Sequence, residues 1–522
     1  MKLPSTPLQA VRFARGLRTF LRQPIDRAEA IAEVQARWCR RDQHFLDALD
    51  RLVWPIPESP HRKLLAHAGL EPPDVAALVT GSGLEPALET LRDEGVYVAY
   101  EEYTGHVPAR RGSATFEFSP PDFANPLVRA DYIASSGGTR STGTASGSSF
   151  HLRRERAKGY AFLLDLWEVA DAPTCVWLPA LPGSAGLSSV LSATALGTPP
   201  ERWFSPTDPS AAARRKRIAN GLLPPLSRLY GRPVPAPVHV PVSDPGTVLS
   251  WCLARLATAE RVLVPTYTSA AVALAQHAID VGATLEGVVL RCGGEPLTAG
   301  RRRLIEQSGA AVVQVFAFSP SGMVAASCLK CRGDEMHLID HDHGVIQRRR
   351  TRPDGVEVDA LLWTSLLLSA GQVLLNTEND DYGEIFSGPE CGGRIPAACG
   401  RAIRGVRGMS KVVAGGTTLH GEALERLVDE VLPQRFGGSP AHYQFAESNP
   451  DGAATVVLRV APAIGPIDGE AVVRAIEEEL RLDELGTMAL GVWTPGRSLV
   501  VERSEPVPAR SGKTLPFQAL VP

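Results

Sequence analysis

Lysine is scarce in this 522-residue chain, which has seven lysines against 47 arginines. Basic and acidic side chains nearly balance, at 54 and 57, so the formal net charge is −3. A general nucleic-acid-binding protein needs a basic face, and this balance argues against one. Because lysines are so few, any lysine that stands inside a recognisable motif becomes a candidate for a chemical role.

Long apolar runs are also lacking. No stretch of about 18 apolar residues occurs, so the sequence predicts no membrane-spanning helix. The N-terminus lacks the apolar core of a signal peptide, and the eight cysteines are sparse for this length. We therefore expect a cytoplasmic protein whose cysteines are free thiols.

Short apolar segments alternate with helical patterns between about residues 249 and 316. Apolar strands that alternate with helices indicate a parallel α/β sheet with helices on both faces. Residues 8–55 also carry apolar positions at helical spacing. From about residue 406 the residue pattern changes, and strand-like runs surround a helical segment at 469–482. The runs that we predict to be strands there are Val456–Val460, Met488–Trp493 and Leu499–Val501.

These patterns predict an α/β protein in three parts. A helical N-terminal extension over residues 1–120 would pack on a large α/β domain over 121–405. Residues 406–522 would form a small α+β C-terminal domain, with the boundary where Gly and Arg interrupt the pattern near Gly400–Arg407.

The most conspicuous local signal is a segment rich in glycine and hydroxyl residues. Residues 135–144 read Ser-Ser-Gly-Gly-Thr-Arg-Ser-Thr-Gly-Thr and follow a short apolar segment. Glycines let backbone N–H groups approach an anion, and hydroxyls add donors, so such loops bind phosphates. No Gly-Lys-Ser/Thr follows, which excludes a Walker A loop. Composition alone fits a flexible linker equally well.

Further motifs follow this segment in a fixed order. They are Gly293-Gly294-Glu295-Pro296, Phe316–Gly322, the acidic run Asn376–Tyr382, Arg407–Gly415, and Ser511-Gly512-Lys513. Together with the glycine-rich segment, they resemble the motifs of the adenylate-forming superfamily. Within it, the chain is similar to the phenylacetate–CoA ligase and acyl-protein synthetase branch. The resemblance covers about residues 125–522.

The resemblance implies a large α/β domain that binds ATP, Mg²⁺ and a small carboxylic acid, followed by a mobile C-terminal domain. The acid would become an acyl-adenylate and then pass to CoA, or to the phosphopantetheine thiol of an acyl carrier protein, in a secondary-metabolic role. Lys513 would be the catalytic residue that stabilises the adenylation transition state. The implied nucleotide-binding residues are Ser136, Gly137, Gly138, Thr139, Arg140, Thr144, Gly294, Glu295, Pro296, Ser319, Asp381 and Arg407.

The chain departs from the family pattern at three places. Pro320 stands where the family usually has a glutamate that helps hold Mg²⁺, and Ser410 replaces the hinge aspartate. The arginine that usually precedes Asp381 is missing, and Asp380 is a second candidate for the ribose-binding role. These departures leave open a degenerate, non-catalytic nucleotide-binding or scaffold protein.

A possible metal site begins with Cys328-Leu-Lys-Cys331 and His337. Tetrahedral zinc takes four such ligands, and a Cys-x₂-Cys pair is one usual half of a site. Some relatives in the phenylacetate–CoA ligase branch hold structural zinc in these regions, and the resemblance implies Cys331, His337, Cys391 and Cys399 as ligands. Buried, unpaired thiols are the alternative.

Two polar clusters receive simpler interpretations. Asp340–His343 reads as a polar turn after a strand, although a metal or acid/base cluster is the alternative. Arg348–Arg350 is typical of a solvated basic edge, with binding to a carrier protein or to the CoA phosphate as the alternative. The chain has no Gly-x-Ser-x-Gly elbow and no dinucleotide-binding fingerprint after a strand, so neither a hydrolase nor a Rossmann oxidoreductase is supported.

Overall fold

The architecture is taken from a computed structural model that describes most of the chain. The described residues are 6–135, 145–181, 183, 185–208, 214–319, 321–351, 356–387, 400–408, 411–414, 417–448, 455–482, 486–487, 489–490, 493, 499–509 and 511–518. Within this part of the chain, no helix is both long and apolar enough to cross a bilayer.

The N-terminal region is helical. Asp26 caps the second helix by accepting a hydrogen bond from the Glu29 N–H, and prolines occupy the first turns of the fourth and fifth helices. The helical pattern over residues 8–55 is confirmed as the first three helices. In chain order these elements are α1 (Thr6–Arg22), α2 (Arg27–Cys39), α3 (Arg41–Leu52), α4 (Pro60–His67), α5 (Pro72–Ser82), α6 (Leu84–Asp93) and α7 (Tyr100–Tyr103).

Two hairpins follow the helices. The first joins β1 (Ala109–Arg111) to β2 (Ala114–Phe116). The second pairs β3 (Tyr132–Ser135) with β4 (Ala145–Ser148), so these strands hold the two ends of the glycine-rich segment. Helix α8 (Phe150–Leu166) begins directly afterwards, because the Ser149 hydroxyl accepts a hydrogen bond from the Leu152 N–H.

The largest sheet among the described residues has twelve strands. Its strands are β5 (Cys175–Trp177), β6 (Arg202–Ser205), β7 (Pro237–His239), β8 (Val262–Tyr267), β9 (Val288–Gly293), β10 (Ala311–Phe318), β11 (Gly322–Ala326), β12 (Met336–Leu338), β13 (His343–Thr351), β14 (Glu357–Ser365), β15 (Thr377–Ser387) and β16 (Arg401–Gly408). Their order is β13-β14-β15-β16-β12-β11-β10-β9-β8-β5-β6-β7.

This sheet is half parallel and half antiparallel. The six strands from β10 to β7 run parallel, and the strands from β11 to β13 pair antiparallel. The predicted alternation over residues 249–316 is confirmed, since it forms strands β8, β9 and β10 of the parallel half and the helices beside them. The helices of the whole parallel half are α9 (Ala185–Ala195), α10 (Arg214–Leu229), α11 (Pro245–Leu256), α12 (Thr268–Asp280) and α13 (Ala299–Gln307). The parallel strands end at one edge, where open α/β sheets bind ligands.

The C-terminal region has a core of its own, which includes Leu424, Phe445 and Trp493. Its four-stranded sheet has the order β21-β20-β19-β22. The predicted fold class, α/β with a large N-terminal and a small C-terminal part, is confirmed. The elements are β17 (Lys411–Ala414), β18 (Thr417–His420), α14 (Gly421–Arg426), a π-helix (Leu427–Val431), α15 (Leu432–Phe436), β19 (Tyr443–Ser448), β20 (Thr455–Val460), α16 (Gly469–Leu480), β21 (Leu499–Glu502) and β22 (Phe517–Gln518).

The strand predicted over Met488–Trp493 is wrong. Those of its residues that the structure describes, Ala489, Leu490 and Trp493, are helical, and all three are buried. With Gly486, which is also helical, they recur at spacings of three and four, the pattern of one helix face. A short apolar run fits the periodicity of a strand or of a helix, and packing against the C-terminal core selects the helix.

The C-terminal region is joined to the large sheet domain by a buried ion pair. The Arg301 guanidinium of α13 lies 3.0 Å from a carboxylate oxygen of Asp429 in the π-helix, and both side chains are almost fully buried. The Thr298 hydroxyl also donates to Asp429, at 2.8 Å. A methyl group at Gly300 would overlap the Asp429 carbonyl. The two elements therefore meet backbone to backbone.

Candidate active site

Lys513 lies at the edge of the sheet where the parallel strands end. Its ammonium donates a hydrogen bond to the carbonyl of Gly294, 219 residues away in sequence, at 2.8 Å. The same nitrogen lies 4.9 Å from the centre of the Tyr267 ring. Only 3% of the residue is exposed, so Lys513 is not a solvated lysine of a frayed tail. The structure therefore brings the terminal motif and the Gly293–Pro296 turn into contact.

The loop that carries Lys513 is a tight turn. The Gly512 N–H donates to the Ala509 carbonyl, and the Ala509 N–H donates to the Lys513 carbonyl, both at 2.8 Å. Gly512 has a φ of +79°, and a methyl group there would lie 2.9 Å from the Pro206 ring just beyond β6. The Thr514 N–H donates to the Ser269 hydroxyl at 3.0 Å. These contacts fix the lysine against the large domain.

Gly294 is required by both its conformation and its neighbours. Its φ is +76°, which side chains rarely adopt. An added methyl group would lie 3.1 Å from Tyr267 Cε1 and 3.3 Å from Lys513 Cε. The glycine thus lets the lysine and the tyrosine ring close over the turn.

Glu295 is buried, which excludes the alternative that it is a surface turn residue. One carboxylate oxygen accepts a hydrogen bond from the Ser269 N–H in the first turn of α12, at 2.9 Å. The Thr268 hydroxyl donates to the Glu295 carbonyl at 3.0 Å. A carboxylate at a helix N-terminus satisfies a backbone donor and the helix dipole. Glu295 therefore orders the turn against α12, and its other carboxylate oxygen has no hydrogen-bond partner among the described residues.

Burial dominates the electrostatics of this edge. It lowers the pKa of Lys513 from the usual value of a lysine, and the nearby Glu295 charge acts in the opposite direction. Burial also raises the pKa of Tyr267. A cation held in such surroundings interacts strongly with any anion that enters, because little water screens the charge.

Asp381 and Arg407 form a second group on neighbouring strands. Their strands β15 and β16 pair so that Asp381 lies opposite Gly408, next to Arg407. The Asn379 amide donates to the Asp381 carboxylate at 2.7 Å. Arg407 lies 3.4 Å from the Asp334 carboxylate and 3.9 Å from those of Glu422 and Glu425 in α14. These residues lie where the large domain passes into the C-terminal region.

The remaining predicted nucleotide-binding residues differ in how far the structure describes them. Ser319 is exposed in the turn between β10 and β11, and Pro296 follows Glu295 in the turn beneath Lys513. The members of the glycine-rich segment lie outside the described residues: Ser136, Gly137, Gly138, Thr139, Arg140 and Thr144. Pro320 and Ser410, which depart from the family pattern, also lie outside them.

Cys328, Cys331 and His337 form a compact, buried cluster. The two sulfurs are 3.5 Å apart, and the Cys331 sulfur is 3.2 Å from His337 Nε2. All three ligand atoms lie within 4.8 Å of one another, a spacing that fits three corners of a tetrahedral metal site. The predicted ligands Cys391 and Cys399 lie outside the described residues. The structure adds Cys328 to the four predicted ligands.

The polar turn predicted after a strand at Asp340–His343 is confirmed for residues 340–342, which form a turn between β12 and β13, and His343 begins β13. All four residues are buried. Arg348 and Arg350 both pair with the buried carboxylate of Glu378, and Arg350 also pairs with Glu101. These two arginines are therefore neutralised within the chain. The predicted solvated basic edge holds for Arg349, which is exposed and pairs with the exposed Glu357 and with Asp359.

Sequence reasoning missed Tyr267 and Ser269. Tyr267 is the last residue of β8, whose residues are all buried, and Ser269 lies in the first turn of α12. The carboxyl end of a parallel strand is a common position for ligand contacts. The alternation of elements therefore carried a signal for this position. The alternation carried no signal that Lys513 packs on the Tyr267 ring, because that contact depends on a residue of the C-terminal region.

No protein-family model and no curated protein matches this chain. Solved structures that resemble it are adenylate-forming enzymes. A 2-hydroxyisobutyryl-CoA ligase in complex with 2-HIB-AMP and CoA shares 14% identity over 95% of this chain and 91% of its own, with a TM-score of 0.45. An E. coli MenE variant with bound OSB-AMS shares 11% identity over 79% and 69%, with a TM-score of 0.37. McyG A-PCP, complexed with phenylalanyl-adenylate, shares 13% over 83% and 63%, with a TM-score of 0.39.

At these identities and TM-scores the likeness carries no weight for activity or substrate.

Proposed function

We propose that this chain activates a carboxylic acid with ATP, forming an acyl-adenylate and pyrophosphate, and then transfers the acyl group to a thiol. The observation that carries the proposal is the position and burial of Lys513. One of only seven lysines is buried on a tyrosine ring, bonded to Gly294, at the ligand-binding edge of a parallel sheet. The Gly294 carbonyl and the Tyr267 ring fix the ammonium in position, where it can meet an anionic ligand.

Different residues have different roles in the first step, the formation of the acyl-adenylate. A carboxylate attacks the α-phosphate of ATP, and negative charge develops around phosphorus as pyrophosphate leaves. The Lys513 ammonium supplies a compact positive charge that is held in place before the reaction begins. Glu295 and Ser269 order the turn on which Lys513 rests. Backbone N–H groups of residues 136–144 would hold the outer phosphates, and Asp381 would hold the ribose hydroxyls. Mg²⁺ would neutralise phosphate charge.

We propose CoA as the acceptor thiol, in line with the resemblance to phenylacetate–CoA ligases. A carrier-protein or protein thiol is the second candidate. Pairing of Arg348 and Arg350 with carboxylates leaves those two arginines occupied within the chain, which favours the small acceptor. A non-catalytic scaffold would bind nucleotide without releasing pyrophosphate.

The test is pyrophosphate release across a broad panel of acids, with and without CoA. Lys513→Ala should lower the rate at least about 100-fold, a loss of about 2.7 kcal/mol of transition-state stabilisation. Lys63→Ala is the matched control, because Lys63 is a half-buried lysine of α4 that pairs with Glu58, away from the site. Nucleotide binding without pyrophosphate release from any acid would support the scaffold instead.

We further propose that Cys328, Cys331 and His337 supply three ligands of a structural zinc site. Their number, chemistry and mutual distances fit Zn²⁺, and Cys391 or Cys399 would supply the fourth ligand. Zinc there would tie the loop before β12 to the segment before β16. It would contribute to stability and take no part in the reaction.

A further inference from the structure

Arg291 is a partly buried cation of the large sheet that lacks a carboxylate partner among the described residues. It lies on β9, two residues before the Gly293–Gly294 turn that Lys513 contacts, between Pro265 of β8 and Val313 of β10. Its guanidinium donates to the Ser189 hydroxyl of α9 at 3.0 Å. No aspartate or glutamate among the described residues forms an ion pair with it, and its Nε has no hydrogen-bond partner there.

Three buried arginines have carboxylate partners, whereas the buried Arg153 donates to the Tyr132 hydroxyl at 2.6 Å. Arg301 is paired with Asp429, and Arg37 with Asp342 and two glutamates. Arg111 is paired with Glu102. Leaving a buried charge uncompensated destabilises a fold, which is why buried arginines usually have such partners. Arg291 has none among the described residues, and it lies at the edge where the ligand is expected.

The surroundings of Arg291 suit an anionic group. Tyr160 of α8 lies close enough to interact with the guanidinium electrostatically, and Ser189 offers a hydroxyl beside it. Burial lowers the pKa of Arg291, but an arginine remains charged at neutral pH. The side chain is partly and not completely buried, so a ligand can reach it. A guanidinium binds a carboxylate through two parallel hydrogen bonds.

We infer that Arg291 binds a second anionic group of the acid, so that the preferred substrates are short dicarboxylates. This inference rests on the proposed function, because Lys513 is taken to receive the carboxylate that reacts. Two residues of β-strand span about 7 Å, which brings Arg291 and the Gly294 turn within the reach of one small molecule. Arg291 is then a specificity-determining residue, and a monocarboxylic acid leaves its charge unpaired.

The test compares matched pairs of acids: succinate with butyrate, glutarate with valerate, and adipate with hexanoate. In the wild-type protein, at least one dicarboxylate should have a kcat/KM for pyrophosphate release at least tenfold above that of its monocarboxylic partner. Arg291→Leu should abolish or reverse this preference. Arg303→Leu, which removes an exposed arginine of α13, should leave it unchanged. Equal kcat/KM ratios in wild type and Arg291→Leu would overturn the inference.

Thermal unfolding provides a readout that does not require activity. Arg291→Leu should unfold at the same or a higher temperature than wild type, because it removes an uncompensated charge. A marked fall, shared by Arg291→Gln, would mean that the guanidinium has a structural partner, and would overturn the inference. A dicarboxylate should raise the unfolding temperature of the wild type and of Arg303→Leu but not of Arg291→Leu.

This readout also separates two kinds of failure. If no acid releases pyrophosphate but a dicarboxylate stabilises the wild type through Arg291, the proposed function fails and the anion site stands. If pyrophosphate is released but no dicarboxylate is preferred or stabilises the protein, the function stands and the inference fails.

Discussion

At the scale of single residues, the site depends on contacts that a chemically similar side chain cannot reproduce. Lys513 extends between the Tyr267 ring and the Gly294 carbonyl, and little of it is exposed. Lysine places one compact charge at the end of a thin chain, whereas arginine carries a broad planar group. The identity of the residue, and not only its charge, therefore defines the site.

We expect Lys513→Arg to lose nearly as much activity as Lys513→Ala. The larger guanidinium would have to displace the tyrosine ring or the turn, so the pyrophosphate-release rate should fall at least about 30-fold, equivalent to about 2 kcal/mol. Stopped-time pyrophosphate assays with the same acid measure the rates of the wild type and of both variants. Near wild-type activity in Lys513→Arg would show that any cation suffices there.

Gly294→Ala should impair both stability and activity. The residue has positive φ, and the new methyl group would press on Tyr267 and Lys513. The conformational strain alone costs about 1 kcal/mol. Gly282→Ala is the control, since Gly282 also has positive φ but has open space around it. In urea unfolding, the free energy of unfolding should fall by similar amounts in both variants if only the backbone φ matters. It should fall further in Gly294→Ala if the contacts with Tyr267 and Lys513 matter.

At the scale of elements, α13 and the π-helix at Leu427–Val431 determine how the two domains meet. The Arg301–Asp429 pair and the Thr298 hydroxyl bury their polar groups together, and Gly300 allows the backbones to approach. Movement of the C-terminal domain between half-reactions, which the family resemblance implies, would have to separate this pair. The pair therefore favours the arrangement in which Lys513 lies on Gly294.

Asp429→Ala should destabilise the protein by about 3–5 kcal/mol, because it leaves Arg301 buried without a counter-charge. The double variant Arg301→Leu/Asp429→Leu should recover much of that loss. Denaturant unfolding of the single and double variants measures the difference. No recovery in the double variant would mean that packing, and not the unpaired charge, accounts for the loss.

The zinc proposal also belongs to this scale, since it joins two loops. Purified protein should contain close to one equivalent of zinc, and Cys331→Ser should lose it and unfold at a lower temperature. Cys252→Ser is the control, because Cys252 is a buried thiol outside the cluster. Less than about 0.2 equivalents of zinc in the wild type would end the proposal.

At the scale of the whole molecule, the junction between domains should make stability depend on pH. Burial raises the pKa of Glu425 in α14 to about 7, although Arg301 and Arg407 oppose the shift. Between pH 4.5 and 7 the unfolded chain loses this proton while the folded protein keeps it. The folded state therefore binds more protons, and stability falls as pH rises through this window.

Glu425→Gln should flatten that part of the profile. The free energy of unfolding of the variant, measured from pH 4.5 to 8, should decline less than that of the wild type. Glu470→Gln, which changes an exposed glutamate of α16, should retain the wild-type slope. Parallel profiles for the wild type and Glu425→Gln would contradict the prediction.

Much of the fold was predictable from the sequence because its signals are local. Apolar strands alternating with helices over residues 249–316 predicted three of the six parallel strands, and the change of pattern near 406 indicated the C-terminal region. The antiparallel half was not predicted, although most of its pairs, such as β13 with β14, join consecutive strands. The pairing of β12 with β16 joins strands distant in sequence, and local pattern carries no signal for it. The apolar run around Trp493 was misassigned, because a short run fits either period until packing selects one.

The sequence by itself determined the order of the motifs, the fold class and the scarcity of lysine that drew attention to Lys513. Only the tertiary structure decided that Lys513 lies on Gly294 and Tyr267, that Cys328 joins Cys331 and His337, and that Arg291 has no carboxylate partner among the described residues. The reason is physical: propensity and periodicity act over a few residues. Burial, charge pairing and ligand geometry depend instead on chain segments that meet only when the whole molecule folds.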